Sequence, residues 1–246
     1  MNHTQYPVVL LHGLACDPYL WETTEGHLQK AGFEVHQPLM RNQDSISKMA
    51  EFVLEEVDGE FILGGLSMGG YVSFEIWRQA PERVKAMILC DTKHRLDNPD
   101  RVKARDQTMQ LVEKGKFDQM AKLFHGMLTA PEYLHDVEKS EKLMSMIYRT
   151  SPEEYLRQQT AIFNRPDSTK TLVTIDCPTL IFCGELDQIT PPAVHQEMAS
   201  KISGAQLEII SGAGHLSTLE AGDKVGSLIC NWILGLAEDE DFLSME

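Results

Sequence analysis

Apolar positions along the chain fall into two kinds of run. Residues 7–11, 61–63, 84–90 and 178–184 form short stretches of nearly continuous apolarity, rich in Val, Ile, Leu and Phe. Continuity without polar alternation predicts strands buried on both faces, as in a parallel sheet covered by helices. Residues 33–38 and 206–210 read as two further strands. Between the strands the apolar spacing turns helical. Trp21 and Leu28 face inward on a helix over 17–29. Ile46, Met49, Ala50, Val53, Leu54 and Val57 make one stripe, on a helix that Ser45 or Ser47 can cap. The segment 71–77 continues the pattern to about Ala80–Pro81. Strand and helix alternate as far as Cys90, which argues for a doubly wound sheet with right-handed crossovers.

The alternation then stops. From about residue 98 to 171 every recognisable segment is helical: 99–113, 117–127, 131–149 and 151–163. Pro99, Pro131 and Pro152 sit at first-turn positions. The strand pattern resumes at residue 178, followed by helices over 192–201 and 223–236. The expectation is an α/β core in two parts, 1–95 and 173–246, interrupted by an all-helical cap insertion over 96–172. Its methionines (Met109, Met120, Met127, Met144, Met146) are either ordinary inter-helix packing or an adaptable apolar lining over a pocket.

Composition narrows the partners. Across 246 residues, 37 acidic side chains outnumber 22 Lys and Arg, for a net charge of −15. Such a field repels phosphate backbones and anionic lipid, so neither nucleic acid nor membrane is expected as a partner. Part of the excess lies in the tail at 238–241, read as a solvated terminus. The first residues lack a basic start and a signal-type apolar core. Five cysteines without C-x-x-C spacing read as free thiols in a reducing, cytoplasmic setting. No grouping of His, Cys and carboxylates has ligand spacing, so neither metal nor cofactor is expected. The sequence leaves the oligomeric state open.

The chemistry concentrates at strand ends, where open parallel sheets gather their working residues. Gly65-Leu66-Ser67-Met68-Gly69 follows one strand and opens a helix. This is the G-x-S-x-G pattern of a nucleophile elbow, although taken alone it also fits a glycine-rich turn with a spectator serine. His12-Gly13, Asp187 and Gly214-His215 end three other strands. A serine alcohol needs an imidazole to take its proton and a carboxylate to hold that imidazole. Ser67, Asp187 and His215 supply them in the chain order expected of α/β hydrolases.

These motifs carry a resemblance. Leu10-Leu11-His12-Gly13-Leu14, Gly65-Leu66-Ser67-Met68-Gly69-Gly70, Gly184-Glu185-Leu186-Asp187-Gln188-Ile189-Thr190-Pro191 and the stretch from Gly212 to Glu220 resemble the α/β-hydrolase superfamily, in its branch of small cap-bearing serine esterases and lactonases. The resemblance implies Ser67 as nucleophile, His215 as base and then acid, and Asp187 as orienting acid. It also implies an oxyanion hole from the N–H groups of Leu14 and Met68, with His12 holding the loop. Asp91, also at a strand end, is the weaker candidate acid and is read as a hydrogen bonder at the insertion hinge. Family members usually carry two earlier antiparallel strands, so a shortened, essentially parallel sheet of about six strands is expected. Trp21, Phe124, Tyr148 and Phe163 are candidate linings for the substrate. Arg165 is either in a salt bridge with Asp167 or a similar surface pair, or a positive group near the pocket. The expected partner is a small carboxylic ester or lactone. A carbon–carbon hydrolase, a thioesterase, and a ligand-binding protein with little turnover are the alternatives.

Overall fold

The computed structural model describes residues 6–238. The acidic positions 239–241 therefore lie outside the described residues. In chain order the elements are β1 (Val8–Leu11), α1 (Glu22–Lys30), β2 (Val35–His36), α2 (Ile46–Glu56), β3 (Phe61–Leu66), α3 (Met68–Gln79) and β4 (Val84–Cys90). Then follow α4 (Pro99–Glu113), α5 (Phe117–Leu128), α6 (Pro131–Leu134), α7 (Val137–Tyr148), α8 (Pro152–Phe163) and α9 (Thr169–Leu172). The chain closes with β5 (Thr179–Gly184), α10 (Pro192–Lys201), β6 (Gln206–Ile210), α11 (Ser217–Glu220) and α12 (Gly222–Glu238).

The six strands form one sheet in the order β2-β1-β3-β4-β5-β6, and every pair is parallel. β1, β3 and β5 are buried at every residue, as continuous apolarity requires, while the edge strand β6 alternates between exposed and half-buried positions until the buried Ile210. The chain leaves β1 towards one edge and returns through β3 on its other side. That reversal opens a crevice at the carboxyl ends of β1 and β3, the usual place for a ligand in an open α/β sheet. α1 packs on α12 and α2 on α3.

Between β4 and β5 all the regular structure is helical. The expected single helix over 131–149 is two, because the Asp136 side chain accepts from the Lys139 amide at 3.2 Å and restarts the chain as α7. Likewise, Asp17 caps a short 3-10 turn over Pro18–Trp21, so α1 begins only at Glu22. β3 runs three residues beyond Leu63, through Gly64 and Gly65, which pair with Leu10 and Leu11 of β1.

Candidate active site

Ser67 sits between β3 and α3 with φ 54° and ψ −108°, a conformation an L-residue holds only when its surroundings impose it. The glycines on either side make it possible. A Cβ on Gly65 would lie 2.5 Å from the Gly69 carbonyl carbon, and one on Gly69 would lie 2.8 Å from that of Leu11. β3, α3 and β1 therefore approach more closely than any side chain allows. The Thr92 hydroxyl donates to the Ser67 carbonyl at 2.7 Å and ties the turn to the end of β4.

Ser67 Oγ lies 3.0 Å from His215 Nε2, and His215 Nδ1 lies 2.8 Å from Asp187 Oδ2. His215 and Asp187 are each 3% exposed. Asp187 Oδ2 also accepts from the Thr190 hydroxyl at 2.6 Å, and Oδ1 accepts from the amides of Ile189 and Thr190 at 2.8 and 3.0 Å. Burial on its own raises the Asp187 pKa. The His215 charge and this full set of donors outweigh burial and hold the carboxyl below its usual range. A carboxylate at Oδ2 requires the proton on His215 Nδ1, which leaves Nε2 as an acceptor facing the serine hydroxyl.

Buried polar groups hold the loops that carry these residues. Glu220 accepts from the amides of Gly214 and Leu216, on either side of His215, and from Ala130 before α6. Asp91, fully buried, accepts from the Gly184 amide at 2.9 Å and from the Ser217 amide and hydroxyl. It bridges the ends of β4 and β5 to the residue two past His215, which differs from the expected place at the insertion hinge. Burial and the charge of Asp187 push its pKa well up. His12 Nε2 accepts from the Met40 amide at 3.2 Å, so Nδ1 carries the proton and donates to the Gly13 carbonyl at 2.8 Å. Gln158 of α8 accepts from the Ala15 amide and pins the loop bearing Leu14 to the helical insertion. Met68 opens α3, so its amide is among the helix's first donors and has no partner within the helix.

This strand–elbow–helix frame is found in known proteins. A family model of the alpha/beta hydrolase fold matches residues 6–221. The chain belongs to the α/β-hydrolase family. A thermophilic esterase from Thermogutta terrifontis, solved with malate bound, is 30% identical, with a TM-score of 0.85 over 94% of this chain and 90% of the other. An enol-lactonase from Burkholderia xenovorans shares the fold at 21% identity, with a TM-score of 0.84 over 95% of this chain and 93% of the other. A pimeloyl-(acyl-carrier protein) methyl ester esterase from Nitrosomonas europaea is 25% identical over 229 residues, 85% of this chain and 88% of its own length.

In this α/β hydrolase a cleft lies over Ser67 and His215. Gly13, Leu14 and Leu66 line it from the sheet side, and Arg101, Arg105, Phe124, Leu128 and Ile162 from the helical insertion. Of the four aromatic candidates, the fold brings Phe124 there. Trp21 is fully buried instead, with its indole N–H on the Leu11 carbonyl at 3.3 Å, and serves the core at the end of β1. Tyr148 and Phe163 fall on the outside, 43% and 51% exposed, at the last positions of α7 and α8. Tyr148 donates to Asp118 there.

Arg165 does not reach the cleft either, and its partner is not Asp167. It is 6% exposed, lies 4.4 Å over the Tyr71 ring and pairs with Asp97 at 3.3 Å. The buried Asp97 also binds Arg105 at 2.6 Å and Lys93. Burial raises the Asp97 pKa, but Arg105, Arg165 and Lys93 outweigh it and hold the carboxyl far below its ordinary range. A depressed pKa contributes stability above the unfolded value of about 4 and loses it as pH falls through the folded value. Asp97→Asn strands three buried or half-buried cations, at an expected cost of roughly 3–5 kcal/mol at pH 7. In urea titrations the gap between wild type and variant should narrow as pH falls below about 4. A gap independent of pH would remove the ion cluster from the account.

Among the described residues, no group of three or more His, Cys, Asp or Glu is placed to hold a metal ion, and no helix is long and apolar enough to cross a membrane.

Proposed function

We propose that the protein is a serine hydrolase of small carboxylic esters or lactones, working through an acyl-enzyme on Ser67. The observation that carries this reading is the hydrogen-bonded line from Ser67 Oγ through the His215 ring to Asp187 Oδ2 at the floor of the cleft. Ser67 Oγ attacks the carbonyl carbon and passes its proton to His215 Nε2. The oxyanion rests on the amides of Leu14, which lines the cleft, and of Met68, which follows Ser67 at the start of α3. Collapse of the tetrahedral adduct expels the alcohol, or opens the lactone, and the departing oxygen takes the proton from Nε2. A water then attacks the Ser67 ester, giving its proton to His215. The second collapse releases the acid and returns the proton to Ser67.

Residues 96–172 serve as the cap, closing the cleft with Arg101, Phe124 and Ile162. The esterase names of its relatives support the same reaction class. Five free, buried cysteines agree with a reducing cytoplasm. The test is labelling of the folded protein by a fluorophosphonate, followed by a panel of p-nitrophenyl esters and lactones. Stoichiometric label on Ser67 with turnover of at least one ester or lactone is expected. An unlabelled Ser67 in folded protein overturns the proposal.

A further inference from the structure

α4 is an unusual helix to lay over a substrate cleft. Its buried side chains are Arg105 and Val112, and it presents Arg101 and Arg105, one turn apart, to the space above Ser67. The two arginines differ in their partners. Arg105 is satisfied by Asp97 through Nε and by Gln159 Oε1 at 2.9 Å. Arg101 Nε is buried with no hydrogen-bond partner, and its guanidinium has no ion pair among the described residues. Arg101 as a whole is half-buried, but a buried N–H without an acceptor is costly, and a ligand entering the cleft would supply one.

The surrounding charge points the same way. Arg101, Arg105, Arg165 and Lys93 cluster here with Asp97 and Asp187 as the near acids. Asp97 is already shared by Lys93, Arg105 and Arg165, and Asp187 is filled by His215 and the Thr190 donors. This positive spot stands in a chain whose net charge is −15. Burial and the neighbouring Arg105 disfavour the Arg101 cation, strain that an anion alongside would relieve. Arg101 also lines a second, mostly apolar cavity between α4, α5 and α8, shared with Arg105 and Phe124. It therefore stands between the Ser67 cleft and that space.

We propose that Arg101 binds a carboxylate carried by the substrate, making the preferred substrates half-esters of short dicarboxylic acids or lactones bearing a free carboxylate. A planar guanidinium meets a carboxylate through two parallel hydrogen bonds, which fixes both the anion and the ester carbonyl at the other end. This rests on the hydrolase reading above, and the experiments separate the two.

On the wild type, kcat/KM for monomethyl glutarate is compared with that for the methyl ester of glutaramic acid, its neutral isostere. A preference of about tenfold or more for the anion is expected, and Arg101→Gln should cut that ratio about tenfold, mainly through KM, with Arg101→Lys restoring part. A ratio near one in the wild type, or one untouched by Arg101→Gln, overturns the proposal. Binding is read without turnover by calorimetry on Ser67→Ala protein, titrated with succinate, glutarate and adipate against glutaramide. Binding of a dicarboxylate, but not the diamide, that vanishes in the Ser67→Ala/Arg101→Gln protein supports Arg101 even if no ester is hydrolysed. Absence of binding by all three dicarboxylates overturns it even if Ser67 proves to be a nucleophile.

Discussion

Ser67→Ala is expected to lower kcat on any substrate the enzyme turns over by about 10⁴ to 10⁶-fold, or roughly 5–8 kcal/mol of transition-state stabilisation. The change deletes one oxygen, the one 3.0 Å from His215 Nε2. Alanine keeps the Cβ that the strained turn already accommodates at φ 54°, so circular dichroism and the melting temperature should stay close to wild type. KM should move little, since Oγ contributes bond formation rather than ground-state binding. Any remaining rate would come from water attacking a carbonyl polarised by the Leu14 and Met68 amides. A variant that keeps more than about a hundredth of wild-type kcat would place the nucleophile elsewhere.

The elbow is legible in the sequence because several local rules agree there. An apolar run, small residues around one serine and a helical stripe after it leave few other structures. Four of the six strands are legible for a similar reason, since continuous apolarity marks a doubly covered sheet, while the edge strands β2 and β6 mix apolar with polar positions. Where sequence and structure part, longer-range geometry decides. Gly64 and Gly65 looked like turn residues but belong to β3, because the space a side chain would need is taken up. A Cβ on Gly64 would meet Leu10 Cδ2 at 2.8 Å. Such a squeeze depends on the neighbouring strand, and a linear sequence does not record it.

The positive group near the cleft shows the same limit. Arg165 and Arg101 both stand in polar stretches, and nothing local separates them. The separation comes from Asp97, which pairs with Arg165 and leaves Arg101 on the lining of the Ser67 cleft with its buried Nε unpartnered. Gln158, Glu220 and Thr190 escaped as roles for a related reason. Each acts through a backbone amide or a second side chain that only folding brings near: Ala15 for Gln158, Gly214 and Leu216 for Glu220, and Asp187 for Thr190. Glu220 and Thr190 did lie inside the stretches that carried the family resemblance. Gln158 had no such signal, since a glutamine on a cap helix reads as solvated polarity.

Two carboxyl groups close to the histidine raise the question of which one orients it, and Asp187→Asn decides. The loss expected in kcat is about 10² to 10⁴-fold with the fold intact. Asp187 Oδ1 accepts two backbone amides, from Ile189 and Thr190. An asparagine will keep its carbonyl oxygen on those two fixed donors, which turns its NH₂ towards His215 Nδ1 and the Thr190 hydroxyl. The imidazole must then accept at Nδ1 and carry its proton on Nε2, the tautomer that cannot take a proton from Ser67. Asp91 is not placed to compensate. Its oxygens are occupied by Gly184 and Ser217, and burial, the larger cause of its raised pKa in the wild type, still disfavours its charge once position 187 is neutral. Of this carboxyl pair, the environment keeps Asp187 ionised and disfavours charge on Asp91, as expected when two acids share one site. The activity of Asp187→Asn should rise with pH more steeply than that of the wild type, because only the minor tautomer and hydroxide-assisted attack remain. If Asp187→Asn stays within about tenfold of wild type while Asp91→Asn loses 10²-fold or more, the assignment reverses, and the end of β4 supplies the acid.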